Sequence, residues 1–134
     1  MFTINQVKEA HSKVKSGKDF PNYVQDLIKL GVSSYDTYVN DGHTEYTGND
    51  NFYVQSDAKY AARDVAITSN PEKFKHYLKI HQQGQTGYLM FCAQSAETGV
   101  EKWTVDMAGM TCTYYDKAGN KMLVEEIPVP PHVD

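Results

Sequence analysis

The feature that most constrains the fold is a pattern that occurs twice along the chain. Between Gln85 and Thr98 the apolar residues have helical spacing, and Gly99 ends that helix before an aromatic segment at Trp103. Upstream, residues 20–30 have helical spacing, and Gly31 precedes a second aromatic segment at Tyr35. Each copy therefore predicts a helix, a glycine that ends it, and a strand rich in aromatic residues.

This repetition predicts the organisation of the domain. We expect a single domain over residues 1–134, with pseudo-repeated halves at 1–56 and 69–127, a connector at 57–68 and an extended tail at 128–134. Each half is predicted to have the order α-α-β-β-β. The fold class is then α+β, with four helices packed on antiparallel sheet. A cleft between the two halves is the first place where we expect a ligand.

The correspondence between the halves has two explanations. Gly31 corresponds to Gly99, and at the same sequence offset Tyr46 corresponds to Tyr114. An internal duplication explains these matches. Glycines end many helices and aromatic residues occur in many strands, so coincidence explains them as well.

Local signals place the individual elements. A cap at Thr3 and a glycine at Gly17 predict the first helix over Ile4–Ser16, and Asn70-Pro71 begins the third helix. The short apolar run at 88–93 fits a helix or a buried strand, and its glycine stop favours the helix. The other predicted elements are helices at 21–30, 71–83 and 86–98, strands at 35–40, 43–47, 52–55, 101–107, 111–116 and 121–127, and a short strand near 65–68.

Composition excludes several function classes. The 134 residues include 13 basic and 17 acidic side chains, a net charge of −4, which argues against a nucleic-acid partner. The sequence contains no apolar run long enough for a membrane span. Cys92 and Cys112 have neither metal-ligand spacing nor a disulfide framework, so we expect buried thiols in a cytoplasmic protein. We predict no cofactor and no metal.

Several residues are candidates for a site. His81 is predicted on the apolar face of its helix, where a histidine serves as a base or simply packs at the edge of the core. Cys92 would be a nucleophile only if His81 approached it. The candidate ligand or interface residues are Tyr35, His81, Cys92, Trp103, Tyr114 and Tyr115.

Aromatic residues provide the clearest indication of binding. Together with Tyr38 and Tyr46, the aromatic candidates form either a core layer or a platform for a sugar, a nucleotide or a peptide. Successive residues of a strand point to opposite faces of a sheet. Tyr114 and Tyr115 are adjacent, so we predict that only one of them joins the core.

Short motifs resemble a known family. Phe20-Pro21, Gly31-Val32 with Tyr35, Tyr46-Thr47-Gly48, and Phe91-Cys92 leading to Gly99-Val100 and Trp103 are similar to the YbcV-like family of uncharacterised proteins. Members of that family are often labelled phage envelope protein. The resemblance implies a fold and a phage-associated origin, and the family has no established active site to transfer.

Taken together, these observations favour a non-enzymatic, cytosolic binding module whose partner is another protein or a second copy of itself. The alternative is a small-molecule-binding protein or an enzyme that uses a cleft between the halves. In that case the candidates are His81, Cys92 and Trp103.

Overall fold

The computed structural model describes residues 2–14 and 19–128. Within these ranges the helices are α1 (Ile4–His11), α2 (Phe20–Leu30), α3 (Pro71–Gln82) and α4 (Tyr88–Glu97). The strands are β1 (Val32–Tyr38), β2 (Thr44–Gly48), β3 (Tyr53–Gln55), β4 (Val100–Asp106), β5 (Thr111–Asp116) and β6 (Lys121–Glu126). The predicted α+β fold, with four helices and an antiparallel sheet, is confirmed for the described residues.

The six strands form one antiparallel sheet in the order β3-β2-β1-β4-β5-β6. Each half of the chain contributes three consecutive strands, and the halves join through β1 and β4. Helices pack on one face of the sheet, where Phe74 of α3 contacts Tyr114 and Phe91 of α4 contacts Trp103. Side chains at alternate strand positions point to the opposite face, which we call the open face.

The two halves have matching strand registers. In β1 and β2 Tyr35 lies opposite Tyr46, and in β4 and β5 Trp103 lies opposite Tyr114, so the same sequence offset relates both members of each pair. Both strand pairs also have an irregularity at the same place, between residues 32 and 34 and between residues 100 and 102. A bulge changes the local twist of a strand, so the two hairpins also share this departure from regular pairing.

A local two-fold axis relates the halves where they meet. Asp36 of β1 lies opposite Thr104 of β4, and these two positions are themselves related by the offset between the halves. Each of the two residues is therefore paired, across the junction, with the residue that corresponds to it in the other half. The Thr104 hydroxyl donates a hydrogen bond to the Asp36 carboxylate.

The first helix of each half begins with the same kind of cap. The Thr3 hydroxyl accepts a hydrogen bond from the Gln6 backbone N–H at 3.2 Å, and the Asn70 side chain accepts one from Lys73 at 3.2 Å. These caps satisfy backbone donors that have no partner within the helix. Both predicted caps are confirmed.

The core lies between the helix layer and the sheet. Val24, Leu27, Phe74 and Val105 have no exposed surface. Val24 and Leu27 are three positions apart on α2, the spacing that places two side chains on one face of a helix. The predicted apolar face of this helix therefore covers the sheet.

One predicted boundary and one predicted strand need correction. The first helix ends at His11 instead of Ser16, because Ser12 and Lys13 form a turn in which the Ser12 hydroxyl donates to the Glu9 carbonyl. Residues 57–68 contain no strand, so the short strand predicted near 65–68 is wrong. Gly17 and the tail beyond residue 128 lie outside the described residues.

The connector, residues 57–68, is held to neighbouring segments by single backbone hydrogen bonds and not by strand pairing. Arg63 N–H donates to the Asn40 carbonyl at 2.8 Å, and Ala66 N–H donates to the Ala96 carbonyl at 2.9 Å. The segment thus runs from the β1–β2 hairpin to the end of α4.

Candidate functional site

Three half-buried side chains form a row across the open face. Tyr38 of β1 lies opposite Lys102 of β4, and Lys102 lies opposite Tyr115 of β5. The Lys102 ammonium is 5.7 Å from the centre of the Tyr38 ring and 5.6 Å from that of Tyr115. A cation at this distance from an aromatic ring is attracted by the ring quadrupole. We refer to these residues as the tyrosine–lysine row.

A carboxylate and a hydroxyl lie beside the row. Lys102 Nζ is 3.7 Å from Asp36 Oδ1, and Asp36 also accepts the hydrogen bond from Thr104. These side chains border an open depression of about 580 Å³, together with Glu101 and the β5–β6 turn. This volume is within the range of small-molecule sites. The depression crosses from β1 to β4, which is where the halves meet.

A histidine bonded to two carboxylates lies next to the row. His43 Nδ1 is 2.6 Å from Asp41 Oδ1, and Nε2 is 3.0 Å from Glu45 Oε2. The imidazole is stacked on Tyr38, with ring centres 4.7 Å apart and an angle of 6° between the planes. Carboxylates accept hydrogen bonds, so both bonds form only when both ring nitrogens carry hydrogen. We call Asp41, His43 and Glu45 the histidine clamp.

The hydrogen bonds of the clamp shift the pKa of His43 and of Asp41. Partial burial lowers the pKa of His43, but the bonds to Asp41 and Glu45 outweigh this effect and raise it above the ordinary value. Burial raises the pKa of Asp41, but the hydrogen bonds from His43 outweigh burial and lower it. Both shifts favour the charged forms, an imidazolium at His43 and a carboxylate at Asp41.

Most of the aromatic candidates predicted from the sequence lie in the core. Tyr35, Trp103 and Tyr114 are buried on the helix side of the sheet. Tyr115 is half-buried on the open face, so it and Tyr114 point in opposite directions as alternation requires. Burial holds the pKa of the Tyr35 and Tyr114 hydroxyls well above the usual range.

His81 and Cys92 have separate surroundings. His81 is half-buried and stacks on Phe91, with ring centres 4.4 Å apart, and its Nδ1 is 3.0 Å from the Thr86 carbonyl oxygen.

Cys92 is buried, and burial raises the pKa of its thiol. The hydroxyls of Tyr60 and Tyr88 and the charge of Arg63 lower that pKa, but burial is the larger effect. Neither residue lines the depression on the open face or a smaller one of about 220 Å³ between α1 and α2.

On the helix side of the sheet, several tyrosine hydroxyls form hydrogen bonds within the protein. The Tyr23 and Tyr46 oxygens are 3.4 Å apart, and the Tyr60 hydroxyl donates to the Val39 carbonyl. Burial raises the pKa of Tyr23 and Tyr60, and it raises that of Tyr88 as well because the Tyr88 hydroxyl points inward to Cys92 while part of its ring stays exposed. These phenols are therefore neutral and act as hydrogen-bonding groups.

The first turn of α4 exposes three consecutive apolar side chains. Tyr88, Leu89 and Met90 are 44%, 59% and 55% exposed. We call these residues the apolar turn. Such a run on a surface is unfavourable in water unless it contacts something else.

The structure adds site residues that the sequence reasoning did not identify. Asp36, Asp41 and Lys102 are not among the sequence-derived candidates. The proximity of Asp36 to Lys102 depends on the pairing of β1 with β4, which are far apart in the chain. The alternating pattern of β4 places Lys102 on the face opposite Trp103, and this was the only available signal.

Within the described ranges, no group of three or more histidine, cysteine, aspartate or glutamate side chains has the arrangement of a metal site. The helices of those same ranges are too short or too polar to cross a membrane.

Fold and site together define a small α+β domain with helices on one side of an antiparallel sheet and a polar, tyrosine-containing open face. Residues 8–126 match the family described as "Protein of unknown function (DUF1398)", and the chain belongs to that family. No curated protein matches the chain.

Proposed function

We propose that this protein is a non-enzymatic binding module that associates with a second copy of itself or with another protein. The observation that supports this proposal is the apolar turn at the start of α4. Exposed apolar side chains favour contact with another protein, because burying them releases water from their surface. Met90 is well suited to such a contact, since its flexible side chain adapts to different shapes.

Sedimentation velocity tests the self-association. We expect the wild-type protein to form a concentration-dependent oligomer, and the double variant Leu89→Asp, Met90→Asp to shift the equilibrium at least about tenfold toward monomer. The matched control is Ile67→Asp, because Ile67 is 87% exposed but isolated on the connector. This control should sediment as the wild-type protein does.

A strictly monomeric wild-type protein at high concentration would exclude self-association and leave another protein as the partner. Equal effects of the α4 variant and the Ile67→Asp control would contradict the role of the apolar turn, because added charge alone would then explain the result.

The second candidate function is that of a small-molecule-binding protein or an enzyme with its site between the halves. The depression across β1 and β4 favours binding at this junction. His81, Cys92 and Trp103, the sequence-derived candidates for such a site, lie on the helix side of the sheet and do not line this depression. The raised pKa of Cys92 keeps the thiol protonated, which favours binding over nucleophilic catalysis.

The cellular context is part of the proposal. Cys92 and Cys112 are buried free thiols, and burial raises the pKa of Cys112 to about 12. Unpaired cysteines support a cytoplasmic location, where thiols stay reduced. The phage-associated origin rests on the resemblance to YbcV-like proteins.

A further inference from the structure

We infer that the free edge of β6 is a self-association surface, where β6 of a second copy pairs antiparallel and extends the sheet. This inference rests on the self-association proposed above and gives it a second surface. The edge is separate from the apolar turn, because α4 packs on Trp103 of β4 and β5 lies between β4 and β6. One chain can therefore make both contacts at once.

The outer side of β6 has backbone groups without a partner strand. β6 is the end strand of the sheet, and no segment that the structure describes pairs with its outer side. Ile127 N–H donates a hydrogen bond to the Met110 carbonyl on the β5 side. Backbone groups alternate in direction along a strand, so those of Glu125 also point toward β5. The N–H and C=O groups of Val124 and Glu126 therefore point away from the sheet.

The two edges of the sheet differ in length. β3, at the other edge, has three residues, and a very short strand is one of the means by which proteins prevent pairing at an edge. β6 has six residues, which is long enough for a partner strand. Pro128 has no backbone N–H, so a paired segment ends before it.

Symmetric pairing about Val124 suits both the backbone and the side chains. Val124 is 49% exposed, and it lies opposite Thr113 and thus on the open face. In an antiparallel pair with a two-fold axis at this position, Val124 lies opposite its own copy, and the two residues exchange N–H to C=O hydrogen bonds. The two valine side chains then pack on each other. The edge is therefore complementary to itself.

The charges at the two ends of β6 match in this register. Lys121 lies opposite Tyr115 and Glu126 lies opposite Thr111, so both charged side chains are on the open face. Antiparallel pairing about Val124 brings Glu126 of each copy beside Lys121 of the other. Charges on an edge strand discourage pairing with most other strands. Here they favour a second copy in one register, because opposite charges across a strand pair stabilise it.

Sedimentation velocity of charge-exchange variants tests the pairing. The starting protein is the full chain with Leu89→Asp and Met90→Asp, which removes the apolar-turn contact and leaves the β6 contact. Adding Lys121→Glu alone or Glu126→Lys alone should weaken the dimer roughly tenfold, because like charges then meet at both ends of the pair. An equimolar mixture of these two variants should dimerise as strongly as the starting protein, since opposite charges meet again.

A substitution on the two-fold axis has a matched control at the other edge. Val124→Lys should abolish the dimer, because two ammonium groups would then face each other. The control is Tyr53→Lys, since Tyr53 is also 49% exposed but lies on β3. This control should dimerise as the starting protein does, and amide NMR spectra show whether both variants are folded.

Hydrogen exchange of the wild-type chain tests the register. The amides of Val124 and Glu126 should become severalfold more protected as the protein concentration rises, because they gain acceptors in the second copy. The amide of Glu125 should change little, since it already bonds to β5. Protection of Val124 and Glu126 that is independent of concentration would overturn the inference, because a segment of the same chain would then occupy the edge.

Other outcomes separate this inference from the proposed function. If the wild type associates and the Leu89→Asp, Met90→Asp chain is monomeric, the second copy binds through the apolar turn alone and the β6 contact is rejected. A mixture of charge-exchange variants that fails to restore the dimer also rejects it, as does an equal loss from Val124→Lys and Tyr53→Lys. If the Leu89→Asp, Met90→Asp chain sediments as the wild type does and the mixture restores the dimer, self-association occurs through β6 and not through the apolar turn.

Discussion

At the residue scale, Gly31 and Gly99 have the same backbone conformation and different surroundings. Their φ angles are +100° and +92°, in the left-handed region where a side chain is unfavourable. A Cβ atom at Gly31 would have no neighbour within 4 Å. At Gly99 it would lie 2.8 Å from the Cα of Ser69 and 2.8 Å from the Thr68 carbonyl oxygen.

We therefore predict unequal effects of the same substitution. Gly31→Ala should reduce the free energy of unfolding by about 1 kcal/mol, the cost of left-handed backbone for alanine. Gly99→Ala should reduce it by about 3 kcal/mol, because the connector backbone must also move. Urea unfolding of both variants measures the difference. Equal losses would show that the connector yields easily at this point.

Both glycine stops were predictable from the sequence, since each follows a helical pattern. The close approach of the connector to Gly99 was not. It depends on backbone hydrogen bonds such as Asn70 N–H to the Thr98 carbonyl, which join segments without any periodic pattern. For the same reason, the sequence suggested a strand near 65–68 where none occurs.

At the element scale, the β1–β2 hairpin carries the histidine clamp. The pKa of His43 is higher in the folded protein than in the unfolded chain. Its contribution to stability is therefore complete below the unfolded pKa of histidine, about 6.5, and is lost as the pH rises through the folded pKa. The pKa of Asp41 is lowered, so its contribution is present above the unfolded pKa and is lost as the pH falls through the folded pKa.

We predict that His43→Gln destabilises the protein by about 1 kcal/mol near pH 6 and by much less near pH 9. Thermal or urea unfolding across this range measures the change. The control is His76→Gln, because His76 is an exposed histidine on α3. If the His43→Gln difference is constant with pH, the imidazolium does not bridge the two carboxylates.

The Asp41-Gly42 pair between the predicted strands at 35–40 and 43–47 is a sequence signal typical of a hairpin, and Gly42 has the positive φ of +77° that such a turn requires. The site was less predictable. Alternation separates Tyr114 from Tyr115, but only the pairing of β1 with β4 brings Tyr38 to Lys102. No local pattern encodes a register between strands that belong to different halves of the chain.

At the scale of the whole molecule, we propose that the chain is one domain with a single unfolding transition. The supporting observation is that β1 and β4, one from each half, are the two central strands of the sheet. Loss of either strand removes a pairing partner of the other half. The helices of both halves also pack on this continuous sheet.

Native-state hydrogen exchange tests this proposal. We expect amides of β1 and β4 to exchange through the same global opening, with equal free energies, and the three-residue edge strand β3 to exchange faster. If β4, β5 and β6 stay protected at a denaturant concentration where β1 and β2 exchange, the halves are separate folding units.

The contact between Asp36 and Thr104 joins two unlike residues at the centre of the β1–β4 pairing. In a dimer of identical half-length chains, a residue at that position would meet its own copy, giving two facing carboxylates or two facing hydroxyls. Unlike partners there require two different half sequences, and this chain contains both. Its two halves can therefore carry different chemistry on the two sides of the junction, whereas a symmetric homodimer would repeat the same groups on both.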